Sequence, residues 1–337
     1  MEGVMSTHKR RKDYWPYYEL ARSEEGPHVR DTILDLIKEN PSPRTRKESR
    51  RGRPPIHSQD KLDFACIWMM IHNDTYRDAE GYMREETRLP WDEPAPDHTR
   101  LVRHMQTIDE GWMDSILAET ARLCMAELEE GVTAPLAADS SGVETTRYED
   151  AERPDRHERG FVPARIKTYM KYHITAVLGH QIILAALTTG SSTGDTQMLK
   201  PMLEEIRRRG HDLAGRRFSA DRGYDSDKNC EAVLAAGWIP NIKGRRNPVN
   251  RGKPSRKKAA GMYDPGEYRL RGMCEGIFGA EESRRHQLHC RFLREDNRRR
   301  FAKGRAISWN ILVLGRFRCA NRLGIPIPSY GGAAACA

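Results

Sequence analysis

No run of apolar residues in this chain of 337 is long enough to cross a bilayer. The longest, residues 174–187, is interrupted by Gly179, His180 and Gln181, whereas a spanning helix needs about 20 apolar residues in a row. Cysteine is scarce and scattered. The seven (Cys66, Cys124, Cys230, Cys274, Cys290, Cys319, Cys336) are odd in number and contain no Cys-x-x-Cys pair, which argues against a disulfide framework and a zinc ribbon and fits reduced thiols. His286, His289 and Cys290, with Cys274 upstream, match no standard zinc spacing. Neither GxGxxG nor GxxxxGK[ST] occurs, so there is no glycine-rich phosphate cradle. Neither Ser140 nor Ser141 stands in the Gly-x-Ser-x-Gly elbow that would make a nucleophile of it. Residues 1–12 are polar and basic and lack the apolar centre of a secretory signal, so a cytoplasmic, nucleoid-associated protein with no membrane partner is expected.

What the sequence has instead is charge. Asp, Glu, Lys and Arg make up 31% of it, and 57 basic residues face 48 acidic ones, for a net charge of +9. A clustered positive excess favours a polyanionic partner, nucleic acid before membrane. The length allows one large domain and a smaller one.

Residues 1–57 read as a polar, basic arm and linker. They hold an aromatic knot (Tyr14, Trp15, Tyr17, Tyr18), a short amphipathic helix over 29–38, and a Pro-punctuated stretch ending in Arg51-Gly52-Arg53-Pro54-Pro55. That stretch suits a minor-groove hook or a solvated linker equally. Residues 58–130 read as all-helical. Apolar spacing predicts helices over 59–71, 75–84 (capped by Asp74 or Thr75), 100–106 and 108–129, with a proline-rich loop over 90–96 and with Arg100, Arg103 and His104 exposed on the third helix. Helix, turn, helix, loop, basic helix is the outline of a helix-turn-helix DNA reader, and also of a small structural bundle.

From 131 to 318 the pattern changes. An apolar run, Leu136-Ala137-Ala138, reads as a buried strand that presents Asp139 and then breaks at Ser140-Ser141-Gly142. A short strand over 143–146 and a charged loop over 148–166 follow. Residues 169–178 and 181–188 form a hairpin about Gly179-His180. Next come a helix over 193–209, strand 216–220 ending at Asp221, helix 226–236, strand 238–242, a basic loop over 243–258, a helical stretch over 263–280, and a last helix over 298–314. Residues 319–337 form a tail. Three antiparallel strands followed by alternating helices and strands is the order of an α/β, ribonuclease H-like mixed sheet flanked by helices, here behind an all-helical N-terminal region.

Asp139 and Asp221 both end short apolar strands. Taken alone, each is a turn-forming acid. Together with a third carboxylate they have the hard oxygen donors that hold a pair of Mg²⁺ ions for in-line displacement at phosphorus. Glu275 offers the third, since Tyr268, Arg271 and Glu275 are spaced three and four apart along one helix face. An intrahelical Arg271–Glu275 ion pair is the plainer reading of that spacing. Asp195 and Asp225 read as helix caps.

The set of Leu136–Gly142, "SADRGYDS" at 219–226, "IPNIKGRRN" at 239–247, and Tyr-x2-Arg-x3-Glu at 268–275 resembles the DDE transposases of prokaryotic insertion sequences. The resemblance implies that Asp139, Asp221 and Glu275 are catalytic metal ligands for two Mg²⁺ ions, with Mn²⁺ as a substitute. It also implies that Tyr268 and Arg271 handle DNA near the scissile phosphate, and that the protein cleaves element ends and transfers strands to target DNA, as a homodimer on paired terminal inverted repeats. Lys243, Arg245 and Arg246 in the basic loop, with Arg284 and Arg285, are expected to add salt-dependent phosphate contacts, and Arg100 and Arg103 to contact the ends. Members often carry Lys or Arg seven positions after the Glu, where this chain has Glu282. A nuclease without strand transfer and a non-catalytic DNA-binding descendant are the rival readings.

Overall fold

A computed structural model describes residues 19–43, 55–128, 134–154, 160–211, 213–245, 253–283, 289–292, 294–325 and 327. Five helices lead: α1 (Glu25–Glu39), α2 (Gln59–His72), α3 (Tyr76–Glu85), α4 (His98–Met105) and α5 (Glu110–Ala126). Then come β1 (Leu136–Pro154), β2 (Phe161–Val177), β3 (Ile182–Gly190), α6 (Leu199–Arg208), β4 (Arg217–Ala220), α7 (Asp227–Ala235) and β5 (Ile239–Ile242). α8 (Pro254–Gly261), α9 (Pro265–Tyr268), α10 (Gly272–Ser283), the two-residue β6 (His289–Cys290) and α11 (Glu295–Leu323) complete the chain. The sheet runs β3-β2-β1-β4-β5, with β6 paired to β1. β1, β2 and β3 are antiparallel, while β4 and β5 run parallel to β1. This is the mixed α/β sheet expected from the element order, behind the expected helical N-terminal region.

β1 sits in the middle of the sheet because its first residues have nothing polar to offer solvent. Leu136, Ala137 and Ala138 are all fully buried, the composition of a strand covered on both faces. The hairpin turn closes through Gly179 at φ 87° and Gln181 at φ 57°. The left-handed region at Gln181 is unusual for a side-chain-bearing residue. Here the side chain is held, since Gln181 Nε2 donates to the Met273 carbonyl at 3.2 Å and its own carbonyl accepts from Trp309 Nε1 at 2.6 Å.

Several local expectations are corrected. The strand does not break at Ser140-Ser141-Gly142. β1 continues to Pro154, paired with β2 through Pro154↔Phe161, with one register shift between Glu144 and Tyr148. The charged loop expected over 148–166 is therefore a two-stranded ribbon. Antiparallel pairing satisfies the backbone of a charged segment without a buried face, and periodicity reports only burial. Helix α6 begins after Pro201's predecessors form a 3-10 turn, Asp195–Gln197; proline in a first helical turn has no donor to lose. Ser226, not Asp225, caps α7 by accepting from the Asn229 N–H at 3.1 Å. Asp225 instead pairs with Arg256. The end of the expected basic loop, residues 254–258, is instead the start of helix α8, opened by Pro254 at its first position.

The N-terminal helices share a core with the sheet. α2 is buried from Lys61 through Ile71, and α11 from Phe301 through Leu314. One apolar cluster runs from Val29 on α1 through Leu184 on β3 to Phe317 on α11. Thr75 caps α3 with a full capping box through Asp78. His104, expected on the exposed face of α4, is buried, and its Nε2 lies 2.6 Å from Asp63 Oδ1. Ser42 donates to the other Asp63 oxygen and accepts from Gln59 Nε2 at 2.6 Å. This polar pair locks α4 onto α2 inside the core, so an exposed-face assignment from spacing fails where a buried acid waits opposite. Among the described residues, no helix is long and apolar enough to cross a membrane.

Removing one member of such a pair leaves the other without a partner in the interior. Asp63→Ala is expected to lower the unfolding free energy by about 1–3 kcal/mol, measured by urea titration; a loss indistinguishable from zero would mean that Ser42 and His104 find water instead.

Candidate active site

Parallel pairing of β1 with β4 runs Leu136↔Phe218, Ala137↔Ser219 and Ala138↔Ala220. Asp139 is the residue after Ala138 and Asp221 the residue after Ala220, so the register sets the two acids side by side at the carboxyl ends of neighbouring strands. That edge is where open α/β sheets present ligand crevices. Glu275 enters from the first turn of α10. This helix lies along β1 through buried Met273, Cys274, Ile277 and Phe278, with Cys274 Sγ 3.9 Å from the Ala137 carbonyl oxygen.

Arg271 joins the sheet acid to the helix acid. Its Nη1 donates to Asp139 Oδ2 and its Nη2 to Glu275 Oε1, each at 2.7 Å. The second Asp139 oxygen accepts the Ser140 N–H at 3.0 Å. Asp221 Oδ1 accepts the Gly223 N–H at 2.7 Å. The plainer Arg271–Glu275 pair is thus present, and it forms half of a bridge. Tyr268, Arg271 and Glu275 do not ride on one regular helix. α9 ends at Tyr268 and the backbone tightens to 3-10 over Arg269–Arg271 before α10 begins. Arg271 still lies over the Tyr268 ring, 5.9 Å from its centroid, with Lys243 Nζ at 5.2 Å and the Tyr263 ring at 5.5 Å. Cations over a tyrosine face are held by its quadrupole.

The electrostatics are those of a site rather than of a surface. Burial pushes the Asp139 carboxyl up to about 6, against the pull of Arg271 and the Ser140 N–H, and the charges of Asp221 and Glu275 add to the push. Burial works against the charge of Arg271 too, yet Asp139, Tyr268 and Glu275 together hold the guanidinium more basic than usual. Among the described residues, no three His, Cys, Asp or Glu side chains stand as a ready-made metal cluster. The donor chemistry nevertheless fits a hard divalent cation: carboxylate oxygens only, with the charges of Asp221 and Glu275 raising the affinity of Asp139 for positive charge and a guanidinium standing between Asp139 and Glu275.

The other predicted residues fall in three places. Lys243 sits at the end of β5, against Tyr268. Arg245 folds back onto the turn after Asp221, where Nε donates to the Arg222 carbonyl at 3.2 Å and Nη2 to the Gly223 carbonyl at 3.3 Å. Arg100 and Arg103 lie on α4, Arg103 exposed and Arg100 half-buried, its N–H tied to the capping Asp97 at 2.8 Å. Arg246, Arg284 and Arg285 lie outside the described residues. Two contacts at this edge were not foreseen. Asp195 has no capping bond and instead pairs with Lys171 on β2 at 3.1 Å, and Thr196 donates to the Gly223 carbonyl. An acid just before a helix looks like a cap in sequence, and nothing in a linear pattern points from it to a lysine on β2.

Because Asp139 titrates above the ordinary 3.8, the unfolded chain gives up this proton more readily than the fold does. Its ionisation therefore costs the fold stability as pH climbs from near 4 through 6, and costs nothing below that range. Asp139→Asn is expected to raise the unfolding free energy by about 2–3 kcal/mol at about pH 8, with the gain fading by about pH 4. A urea series across pH reads this directly; a variant less stable than the parent at pH 8 would mean that the Arg271 bridge outweighs burial.

Residues 131–311 match the family model described as "Transposase DDE domain". An uncharacterized protein of Aquifex aeolicus (strain VF5) is 24% identical over 159 residues, 47% of this chain and 47% of that protein, so the match spans under half of that curated relative. Among solved structures, the piggyBac transposase synaptic complex with hairpin DNA is 11% identical at a TM-score of 0.43, covering 88% of this chain and 74% of that one. The Drosophila P element transposase strand transfer complex is 15% identical at a TM-score of 0.28, covering 61% and 42%. The Mos1 strand transfer complex is 10% identical at a TM-score of 0.29, covering 83% and 82%.

Proposed function

The chain belongs to the transposase DDE domain family, and on that premise we propose that it cleaves DNA strands at the ends of a mobile element and joins the freed 3′-hydroxyls to target DNA. The observation that carries this reading is the side-by-side placement of Asp139 and Asp221 at the ends of parallel strands, with Glu275 tied to Asp139 through Arg271. Asp139, Asp221 and Glu275 would hold Mg²⁺, or Mn²⁺ in its place. A pair of such ions, when bound, lowers the pKa of an attacking water or hydroxyl and stabilises the leaving oxygen of an in-line displacement at phosphorus.

The chain's own residues supply position and charge. Arg271 has a planar fork suited to a phosphate, and carboxylates engaged by a cation would release it to the scissile strand. Tyr268 offers a ring face for a base beside that phosphate. Lys243, on the same ring, adds a backbone contact. Asp139 is poised to be ionised above about pH 6, so metal binding and cleavage should rise with pH through that range. The helical region with Arg100 and Arg103 would bind the terminal inverted repeats, with Arg246, Arg284 and Arg285 as further phosphate contacts. Two ends handled together call for a homodimer, acting on chromosomal DNA in the cytoplasm.

A strand-transfer assay with the element's own ends and Mg²⁺ tests the reading. Asp139→Asn, Asp221→Asn and Glu275→Gln are each expected to cut cleavage by about 10³-fold or more while end binding in gel shift stays within a few-fold. Unchanged cleavage in one variant removes that residue from the triad. Cleavage without joining would make the protein a nuclease, and end binding alone would make it a DNA-binding descendant.

A further inference from the structure

Asp221 does not hold its own position. Its carboxylate is aimed by the Gly223 N–H, so whatever fixes Gly223 fixes the acid. Gly223 is wedged between two carboxylates. A Cβ there would lie 2.9 Å from Asp221 Oδ1 and 3.3 Å from Asp195 Oδ2, so a larger residue would have to push these carboxylates aside. On its far side, Thr196 donates its hydroxyl to the Gly223 carbonyl. Asn229 Nδ2 donates to the Thr196 carbonyl at 2.9 Å and to the Tyr224 carbonyl at 2.7 Å, stitching the two short turns together.

The Asp195–Gln197 turn is itself anchored to the sheet. Lys171 on β2 donates from Nζ to the Thr193 carbonyl at 2.8 Å and to Asp195 Oδ1 at 3.1 Å. Lys171 stands opposite Gly142 on β1 and Thr189 on β3. The strand that carries Asp139 and the turn that aims Asp221 are therefore referenced to one ammonium group. Both partners of this pair are largely covered, with side chains 21% and 24% exposed, so the contact is more than a surface ion pair.

We propose that Asp195, held by Lys171, is a positioning residue for Asp221. The Lys171–Asp195 pair clamps the 193–197 turn, the Thr196 hydroxyl of that turn holds the Gly223 carbonyl, and the Gly223 N–H sets the orientation in which Asp221 meets its ligand. This rests on the metal-dependent reading of the triad and adds a residue outside it. Outer groups that orient ligands in this way are typically worth about 10–100-fold in metal affinity.

The test uses the full chain and two readouts. Amide hydrogen exchange at the 222–225 turn reports the clamp without reference to any metal, and Mn²⁺ titration reports its consequence. Asp195→Ala and Lys171→Ala are each expected to speed exchange in that turn and weaken Mn²⁺ binding by about ten-fold. Thr196→Val, which keeps the side-chain volume, should speed exchange in the same turn. The swap of Lys171→Asp with Asp195→Lys should restore part of both. Unchanged exchange in Asp195→Ala overturns the proposal. So does exchange that rises equally in the buried part of α11, which marks general loosening. Faster exchange with full Mn²⁺ affinity also overturns it, provided Asp221→Asn has lost that affinity. Should wild type and Asp221→Asn bind Mn²⁺ equally poorly, the metal reading of the triad fails, and the exchange data alone decide whether the clamp exists.

Discussion

The bridge from Asp139 through Arg271 to Glu275 is the contact on which the rest of the site depends. One end is fixed to the central strand, where Leu136, Ala137 and Ala138 are fully buried. The other end is fixed to the first turn of α10, a helix whose Cys274 lies against the Ala137 carbonyl of that strand. A guanidinium is suited to the task because its planar fork reaches two carboxylates at once without losing its charge. The bridge thus decides how far α10 stands from the ends of β1 and β4, and with that, how large a ligand fits between Asp139, Asp221 and Glu275.

The bridge holds only because the elements behind it are rigid. α11 passes through the centre of the molecule with Asn310 fully buried. Its side chain donates to the Ile183 carbonyl at 2.8 Å and accepts the Ile183 N–H at 2.9 Å, as a neighbouring strand would. The same helix meets α5 through Lys303 and Asp114, 2.9 Å apart. It thereby carries the N-terminal helices and the sheet on one frame.

How much of this was legible follows from what each signal reports. Periodicity reports burial, so it found α2, α5, the hairpin and the two strands that end in acids. It also drew attention to Asp139 and Asp221 as acids that end apolar strands, whereas Glu275 came from its spacing with Tyr268 and Arg271 and from the family resemblance. Where structure rests on pairing rather than burial, the same signal misled. The ribbon beyond Gly142 is paired with β2 apart from the shift between Glu144 and Tyr148, and its sequence is rich in charge. His104 lies on a helix whose spacing makes it look solvated, until Asp63 supplies a buried partner from another helix. Asp195 is the sharpest case. Its position before a helix has one plain local meaning, and the observed one requires knowing that β2 brings Lys171 to it.

The same cases locate where the chain sets stability against activity. Asp139 is held near a pKa of 6, so at neutral pH the fold carries an ionised carboxylate in a place that disfavours it. Nothing in packing requires this, since Asn would fit the same space and accept the same Ser140 N–H. Asp139 is therefore retained against the interest of the fold, and so is the arginine that partly compensates it. The three carboxylates repel one another, which the folded chain tolerates only while Arg271 stands between two of them and the Gly223 N–H steadies the third. A divalent cation would relieve the same repulsion more fully than one guanidinium does.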